Sequence, residues 1–221
     1  MISFLTLLGI SFVTLRIAGV DLAVVQSWLP PGLLGDLFNR QIAIISGHAG
    51  NDSGAVCIDA SGQATVTEAA IVATIVERLT GQLQRAGAHV LILDEFDSRL
   101  TGLRANLLVS LHADSCIEAS GYKFVTSNRS TVDPQTLITL GACFDQLYAE
   151  TTGLAPHPDT ITHNMTDYHA FRRIDPQTPA LILEVGFLGG DQTLLLQEPD
   201  RVARGITNSI RCFFEKGTDS S

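Results

Sequence analysis

Apolar residues in this 221-residue chain fall into several short, nearly unbroken runs and a few longer stripes of helical period, and the two patterns predict different elements. Gln41–Ser46 (QIAIIS), Ala88–Asp94 (AHVLILD), Asn106–His112 (NLLVSLH) and Pro179–Phe187 (PALILEVGF) are short apolar runs bounded by polar residues, glycine or proline. Runs of this kind suit strands buried on both faces. Gly121–Ser127 (GYKFVTS) alternates instead and is expected nearer a sheet edge. Thr65–Arg85 carries Ala69, Val72, Ala73, Val76, Leu79 and Leu83 on one helical stripe, with Thr65 or Thr67 to open the helix and Gly87 to close it. Pro134–Thr152 reads as a second helix closing at Gly153, and Pro199–Glu215 as a C-terminal helix with Asp200 in its first turn. Strands alternating with helices predict an α/β domain of three layers. Its sheet is expected to be twisted, mostly parallel or mixed, with about five to six strands and helices on both faces.

The first 34 residues follow a different pattern. Ile2–Leu15 is an uncharged, largely apolar run, interrupted afterwards by Arg16 and Asp21, and Pro30, Pro31 and Gly32 mark a boundary that no helix continues across. The run is shorter than the roughly 20 residues of a bilayer-spanning helix. It also lacks the basic start of a standard secretory signal. An export signal or an uncleaved membrane anchor over residues 1–34 is expected, with membrane association through residues 1–29. An amphipathic helix packed on the domain is the alternative. The domain itself is expected over residues 35–217, followed by a short polar tail, residues 218–221.

Composition changes this picture in two respects. A net charge of −9 without a clustered Lys/Arg stripe excludes nucleic acid as a partner, because neutralising phosphates needs concentrated positive charge. The four cysteines have no C-x-x-C spacing, which argues against a thiolate zinc site. Cys57 lies nine residues past His48, and Cys116 four past His112. If the two histidines meet at one metal, these two thiols come together as well and can form a disulfide. Cys143 and Cys212 read as buried apolar cysteines.

The chemistry concentrates where predicted strands end. His48 follows the first strand in SGHAGNDSG, where Gly47, Gly50 and Gly54 let backbone pack close and Asn51 and Asp52 are short polar supports. His112 emerges from an apolar strand in which an unpaired imidazole is costly. Glu184 sits inside PALILEVGF, so its carboxylate must be paired, protonated or working. Glu68, in TEAAI, reads by itself as an ordinary first-turn helix carboxylate. Two imidazoles and a carboxylate are a donor set for zinc with one position left open. A further carboxylate beside that position can move protons.

The order and spacing of four segments carry a resemblance: a strand before GHAGNDSGA, the TEAAI helix start, ANLLVSLHAD before GYKF, and PALILEVGFL before a C-terminal helix. From Gln41 to Glu215 the chain resembles the zinc-dependent N-acetylmuramoyl-L-alanine amidases, bacterial cell-wall hydrolases with an amidase type 3 catalytic domain. The resemblance implies one zinc ion ligated by His48, Glu68 and His112, with Glu184 as the catalytic carboxylate. It implies hydrolysis of the amide between the lactyl group of N-acetylmuramic acid and L-alanine, in peptidoglycan or muropeptides, outside the cytoplasm. A zinc amidase or peptidase acting on soluble muropeptides and a catalytically inactive wall-binding module are the competing expectations. Asp114 stands where the family usually has Asn, which adds negative charge near the metal. The stretch SRLTGLRANLLVSLH is compressed relative to the family and leaves Arg99 and Arg104 without an assigned role. The interval Val125–Glu184 is too short for the regulatory helix some members insert over the zinc. Substrate contacts are expected from Asp114, Arg172 and Arg173. Tyr168 and the loop histidines His157, His163 and His169 are expected to line the groove, one of these histidines being a further candidate ligand. His89 reads as structural.

Overall fold

The computed structural model describes residues 35–218; the export or anchor segment expected over residues 1–34 lies outside them. Each apolar run forms a strand. In chain order the first elements are β1 (Gln41–Ser46), β2 (Val56–Ile58), β3 (Ala64–Thr67), α1 (Glu68–Arg85), β4 (His89–Leu93), β5 (Leu107–Asp114) and β6 (Lys123–Thr126). They are followed by α2 (Pro134–Cys143), α3 (Ala149–Thr152), α4 (His163–Thr166), β7 (Ala180–Phe187), α5 (Gln192–Gln197) and α6 (Pro199–Thr218). The five-stranded sheet has the order β4-β1-β5-β7-β6, with β4, β1, β5 and β7 parallel and β6 antiparallel to β7. The alternating GYKFVTS segment thus supplies an edge strand, as its pattern predicts.

Side-chain alternation divides the sheet between two cores. Ile42, Ile44, Leu107, Val109, Leu111, Leu181, Leu183 and Val185 face α1, α2 and α6. Ala43, Ile45, Leu108, Ala180 and Ile182 face Met165, Tyr168, Phe171 and Ile174, so the second face is covered by short helical turns in the segment 158–174. The buried stripe of α1 is rotated from the expected one: Ile71 and Ile75 are buried beside Val72, Val76, Leu79 and Leu83, while Ala73 is exposed. The larger side chains take the sheet side because they remove more apolar surface from water. Thr67 caps α1, its hydroxyl accepting from the Ala70 N–H at 3.4 Å. Thr65 belongs instead to the β2–β3 hairpin, an element too short and polar to stand out in the sequence.

α2 and α3 are joined through a wide turn over Phe144–Tyr148, which swings Tyr148 beneath the sheet so that its hydroxyl donates to the Val185 carbonyl at 2.6 Å. Cys143 and Cys212, expected as free apolar thiols, are joined in a disulfide across α2 and α6. The pairing depends on two helix faces that meet only in the fold, 69 residues apart in sequence. Replacing both cysteines by alanine is expected to lower the unfolding free energy by roughly 2–4 kcal/mol, because the unfolded chain regains loop entropy. Denaturant unfolding measures this loss, and hydrolytic activity below the transition is expected to persist.

Candidate metal centre

The strand order places β4 and β5 on opposite sides of β1, so the chain reverses its direction of build-up between β1 and β5. In open parallel sheets the crevice beyond the strand carboxyl ends at such a point receives the ligand. His48, two residues past β1, and His112, two residues before the end of β5, both lie there. Gly47 accommodates the approach, since a Cβ on it would stand 2.4 Å from the Leu111 carbonyl oxygen and 2.8 Å from His112 Nδ1. Glu68 comes from a third direction, at the N-terminus of α1. It is anchored by its own N–H donating to the Ala55 carbonyl at 2.8 Å. The chain reaches α1 past Gly54, which has φ 61° and no room for a Cβ beside Glu68 Oε2 and the His48 ring.

Ligating atoms of His48, Glu68 and His112 all lie within 4.8 Å of one another. Glu68 Oε1 stands 3.2 Å from His48 Nε2 and 3.0 Å from His112 Nδ1. The second nitrogen of His48 is held by Asp52 at 2.5 Å, so in the neutral imidazole Nδ1 donates its proton and Nε2 turns a lone pair toward the Glu68 carboxylate. Electron pairs facing one another at that distance fit a cation between them. Glu68 Oε1 also accepts from the Ala113 N–H at 3.1 Å and Oε2 from the Ala55 N–H at 3.0 Å, which fix the carboxylate in place. Burial works against its charge, but the hydrogen bonds from His112 and Ala55 outweigh it and hold its carboxyl below the usual range.

Glu184 pairs in register with His112 across β5 and β7 and points to the same side of the sheet. Its Oε2 is buried without a hydrogen-bond partner. Burial pushes its carboxyl up to about 7, with Glu68 and Asp114 adding to the rise and His112 and Lys123 opposing it. His112 experiences the opposite balance. Desolvation disfavours its charged form, but Glu68, Glu95 and Glu184 outweigh that cost and push the imidazole up to about 10. The surrounding carboxylates thus favour positive charge at the centre of the group, and His48, Glu68 and His112 together offer a donor set that could hold a metal ion there.

These residues line a cleft of about 520 Å³ that also takes in Asp114, Thr162, Tyr168, His169, Arg172 and Glu95. Two of these charged groups escaped the sequence reading or gained partners it did not foresee. Glu95 follows β4, between Asp94 and Phe96, in a stretch that reads as surface turn, yet it is 5% exposed. Asp114 is neutralised by Lys123, whose ammonium contacts its carboxylate and donates to the Thr160 carbonyl at 2.8 Å. The extra charge expected at Asp114 is thus balanced by a lysine at the register position facing Glu184.

Arg172 reaches the cleft while bound to Asp167 at 2.5 Å, and Arg173 turns away to the Asp97 carbonyl at 2.8 Å. Of the loop histidines, His169 enters the cleft and His157 and His163 do not. His89 begins β4 with its N–H donating to the Arg40 carbonyl. Arg99 pairs with Asp97, and Arg104 donates to Gln177. Cys57 and Cys116 form a disulfide that ties the β2–β3 hairpin to the loop after β5.

With this geometry in place, the comparisons with known proteins are specific. A family model described as N-acetylmuramoyl-L-alanine amidase matches residues 42–212. The chain belongs to the N-acetylmuramoyl-L-alanine amidase family. It is a peptidoglycan amidase, a hydrolase of cell-wall degradation. A search of curated proteins by sequence returned no match. Among solved structures, the fold is similar to the CwlD amidase of Clostridioides difficile in complex with the GerS lipoprotein, at TM-score 0.60 and 19% identity, covering 80% of this chain and 100% of that one. Ami1 of Mycobacterium smegmatis superposes at TM-score 0.61 and 14% identity, covering 81% and 99%. The catalytic domain of CwlV from Bacillus (Paenibacillus) polymyxa does so at 0.57 and 22%, covering 82% and 99%.

For the Asp114–Lys123 pair, Lys123→Met is expected to destabilise this amidase by about 3–5 kcal/mol, because it leaves a poorly solvated carboxylate unpaired. Lys123→Met combined with Asp114→Asn is expected to recover most of that loss in urea unfolding.

Proposed function

We propose that this amidase is zinc-dependent, that His48, Glu68 and His112 ligate one zinc ion, and that Glu184 is its catalytic carboxylate. The observation that carries this reading is the convergence of two imidazoles and a buried carboxylate from three separate elements, with the unpartnered Glu184 oxygen on the same side of the sheet. When bound, zinc polarises an amide carbonyl and lowers the pKa of a water.

The rest of the work falls to the chain. Glu184, ionised, accepts a proton from the attacking water. It then returns that proton to the amine of L-alanine as the bond to the lactyl carbonyl breaks. Its place on a buried strand that lines the cleft supports this role. Lys123 keeps Asp114 neutralised, so Glu184 faces less negative charge than the number of nearby carboxylates suggests. Arg172 at the cleft rim offers a guanidinium to a carboxylate of the stem peptide. The ion pair it shares with Asp167 positions the group.

The substrate is peptidoglycan, and action outside the cytoplasm follows from it. The Cys57–Cys116 and Cys143–Cys212 disulfides suit an oxidising compartment. Among the described residues no helix is long and apolar enough to cross a membrane. Membrane association through the apolar residues 1–29 is part of the proposal.

Digestion of purified sacculi followed by mass spectrometry tests the activity. Stem peptides with a free L-alanine amino terminus are expected, and sacculi left intact by zinc-loaded protein would sink the proposal. Glu184→Gln is expected to retain zinc and lose about 10²–10⁴-fold in turnover. The acid limb of the pH–rate profile follows from the sign of the Glu184 shift. Activity requires the ionised base, so it falls as pH drops through the Glu184 pKa. Burial raises that pKa to about 7 without metal. Zinc charge lowers it, so the limb is expected below 7.

A further inference from the structure

One heavily partnered carboxylate in the cleft has no place in the chemistry above. Glu95 is buried, and each of its oxygens has a separate set of contacts. Oε1 accepts from the Tyr168 hydroxyl at 2.9 Å and from His169 Nε2 at 2.8 Å. Since the one Tyr168 proton goes to Glu95, Ser110 donates to Tyr168, at 2.8 Å. Oε2 faces the two histidine ligands. It accepts from the backbone N–H of His48 at 3.1 Å and stands 3.4 Å from His112 Nε2. That nitrogen is buried and has no hydrogen-bond partner.

We propose that Glu95 is a positioning residue for the zinc site, holding the His112 ring with Nε2–H toward its carboxylate and the Nδ1 lone pair toward the metal, and at the same time holding the backbone of His48. The inference rests on the assignment of His48, Glu68 and His112 as ligands. An imidazole ligates through one nitrogen while the tautomer is set by what the other nitrogen meets. His112 Nδ1 faces Glu68 and His48 Nε2 does too, so Nε2 of His112 and Nδ1 of His48 are the outer nitrogens. Asp52 serves the outer nitrogen of His48, and Glu95 serves that of His112.

The backbone contact has its own function. His48 has φ 65°, a left-handed conformation that non-glycine residues rarely adopt and that persists only where surrounding structure holds it. The Glu95 carboxylate on the His48 N–H supplies such a hold. Tyr168 and His169, whose ring centroids lie 4.5 Å apart, keep the carboxylate from swinging out into the cleft.

Zinc affinity of the folded protein tests this directly. Metal-stripped wild type, Glu95→Gln, Glu95→Ala and Tyr168→Phe are titrated with zinc against a chelating dye, and each is checked for fold by circular dichroism. Loss of such an outer partner typically weakens metal binding about 10–100-fold. Glu95→Ala is expected in that range, with Glu95→Gln retaining more affinity because its amide keeps an oxygen facing Nε2 without the negative charge. Tyr168→Phe, which removes one support of Glu95 and no contact to His112, is expected to lose less than Glu95→Ala. Cobalt substitution gives a second readout: the visible absorption of the Glu95→Ala site is expected to shift from that of the wild type. Folded Glu95→Ala and Glu95→Gln proteins with wild-type zinc affinity and an unchanged cobalt spectrum would overturn the inference and leave the ligand assignment standing. A wild type that binds no zinc would overturn both. If Glu95→Ala fails to fold, the isosteric Glu95→Gln comparison decides.

Discussion

Concentrated negative charge at the carboxyl end of an otherwise apolar sheet is the constraint on which the rest of the structure depends. Glu68, Glu95 and Glu184 approach His112 from a helix start, a loop and a neighbouring strand, and their charges cannot share so small a space without positive charge among them. Two of the three are fixed by donors. Glu68 takes two backbone N–H groups, and Glu95 takes Tyr168, His169 and the His48 backbone. Glu184 has an oxygen with no partner. That inequality separates their pKa values: the fully bonded carboxylates are held below the usual range, while burial raises the under-bonded one.

Bringing the carboxylates and imidazoles together demands close backbone approach, and the scaffold provides it locally. Gly47 allows β1 to end against β5, and Gly54 allows the chain to pass Glu68 with φ 61°. The Cys57–Cys116 disulfide then ties the hairpin before α1 to the loop after β5, so the segments leading to Glu68 and following His112 are covalently linked. The ion pair between Lys123 and Asp114 closes the opposite side and anchors the 158–162 strap through Thr160. The site is therefore clamped from both sides by contacts outside its reacting groups.

Much of the fold was legible because burial imposes a simple pattern. A strand covered on both faces must be apolar throughout, so the four parallel strands stood out, as did the anomaly of Glu184 within one of them. The alternation of GYKFVTS correctly marked an edge strand. Cys57 and Cys116 were drawn together by their spacing from the two histidines, whereas Cys143 and Cys212 had no such marker, since their pairing depends on how α2 and α6 pack. Glu95 and Lys123 were illegible for a related reason. DEFDS reads as a polar turn and GYKF as an alternating edge, and neither shows that its charged residue is buried against a partner 74 or 9 residues away. For Glu95 the available signal was its place just past a strand end, the same signal that drew attention to His48.

By itself the sequence determined which residues must leave water, and through them the strands, the helices and the few polar groups too costly to leave unexplained. It also carried the family pattern, because the residue types of the four segments and their order are properties of the chain. What only the tertiary structure decided was partnership. Which carboxylate faces which imidazole nitrogen, which acid is satisfied and which keeps an unpartnered oxygen, and how the charge of Asp114 is balanced all depend on distances between separate segments of the chain. Hydrophobic burial follows from local composition and period, whereas electrostatic and hydrogen-bond energies depend on separation and direction to within a fraction of an ångström, and those are set only once the sheet has closed.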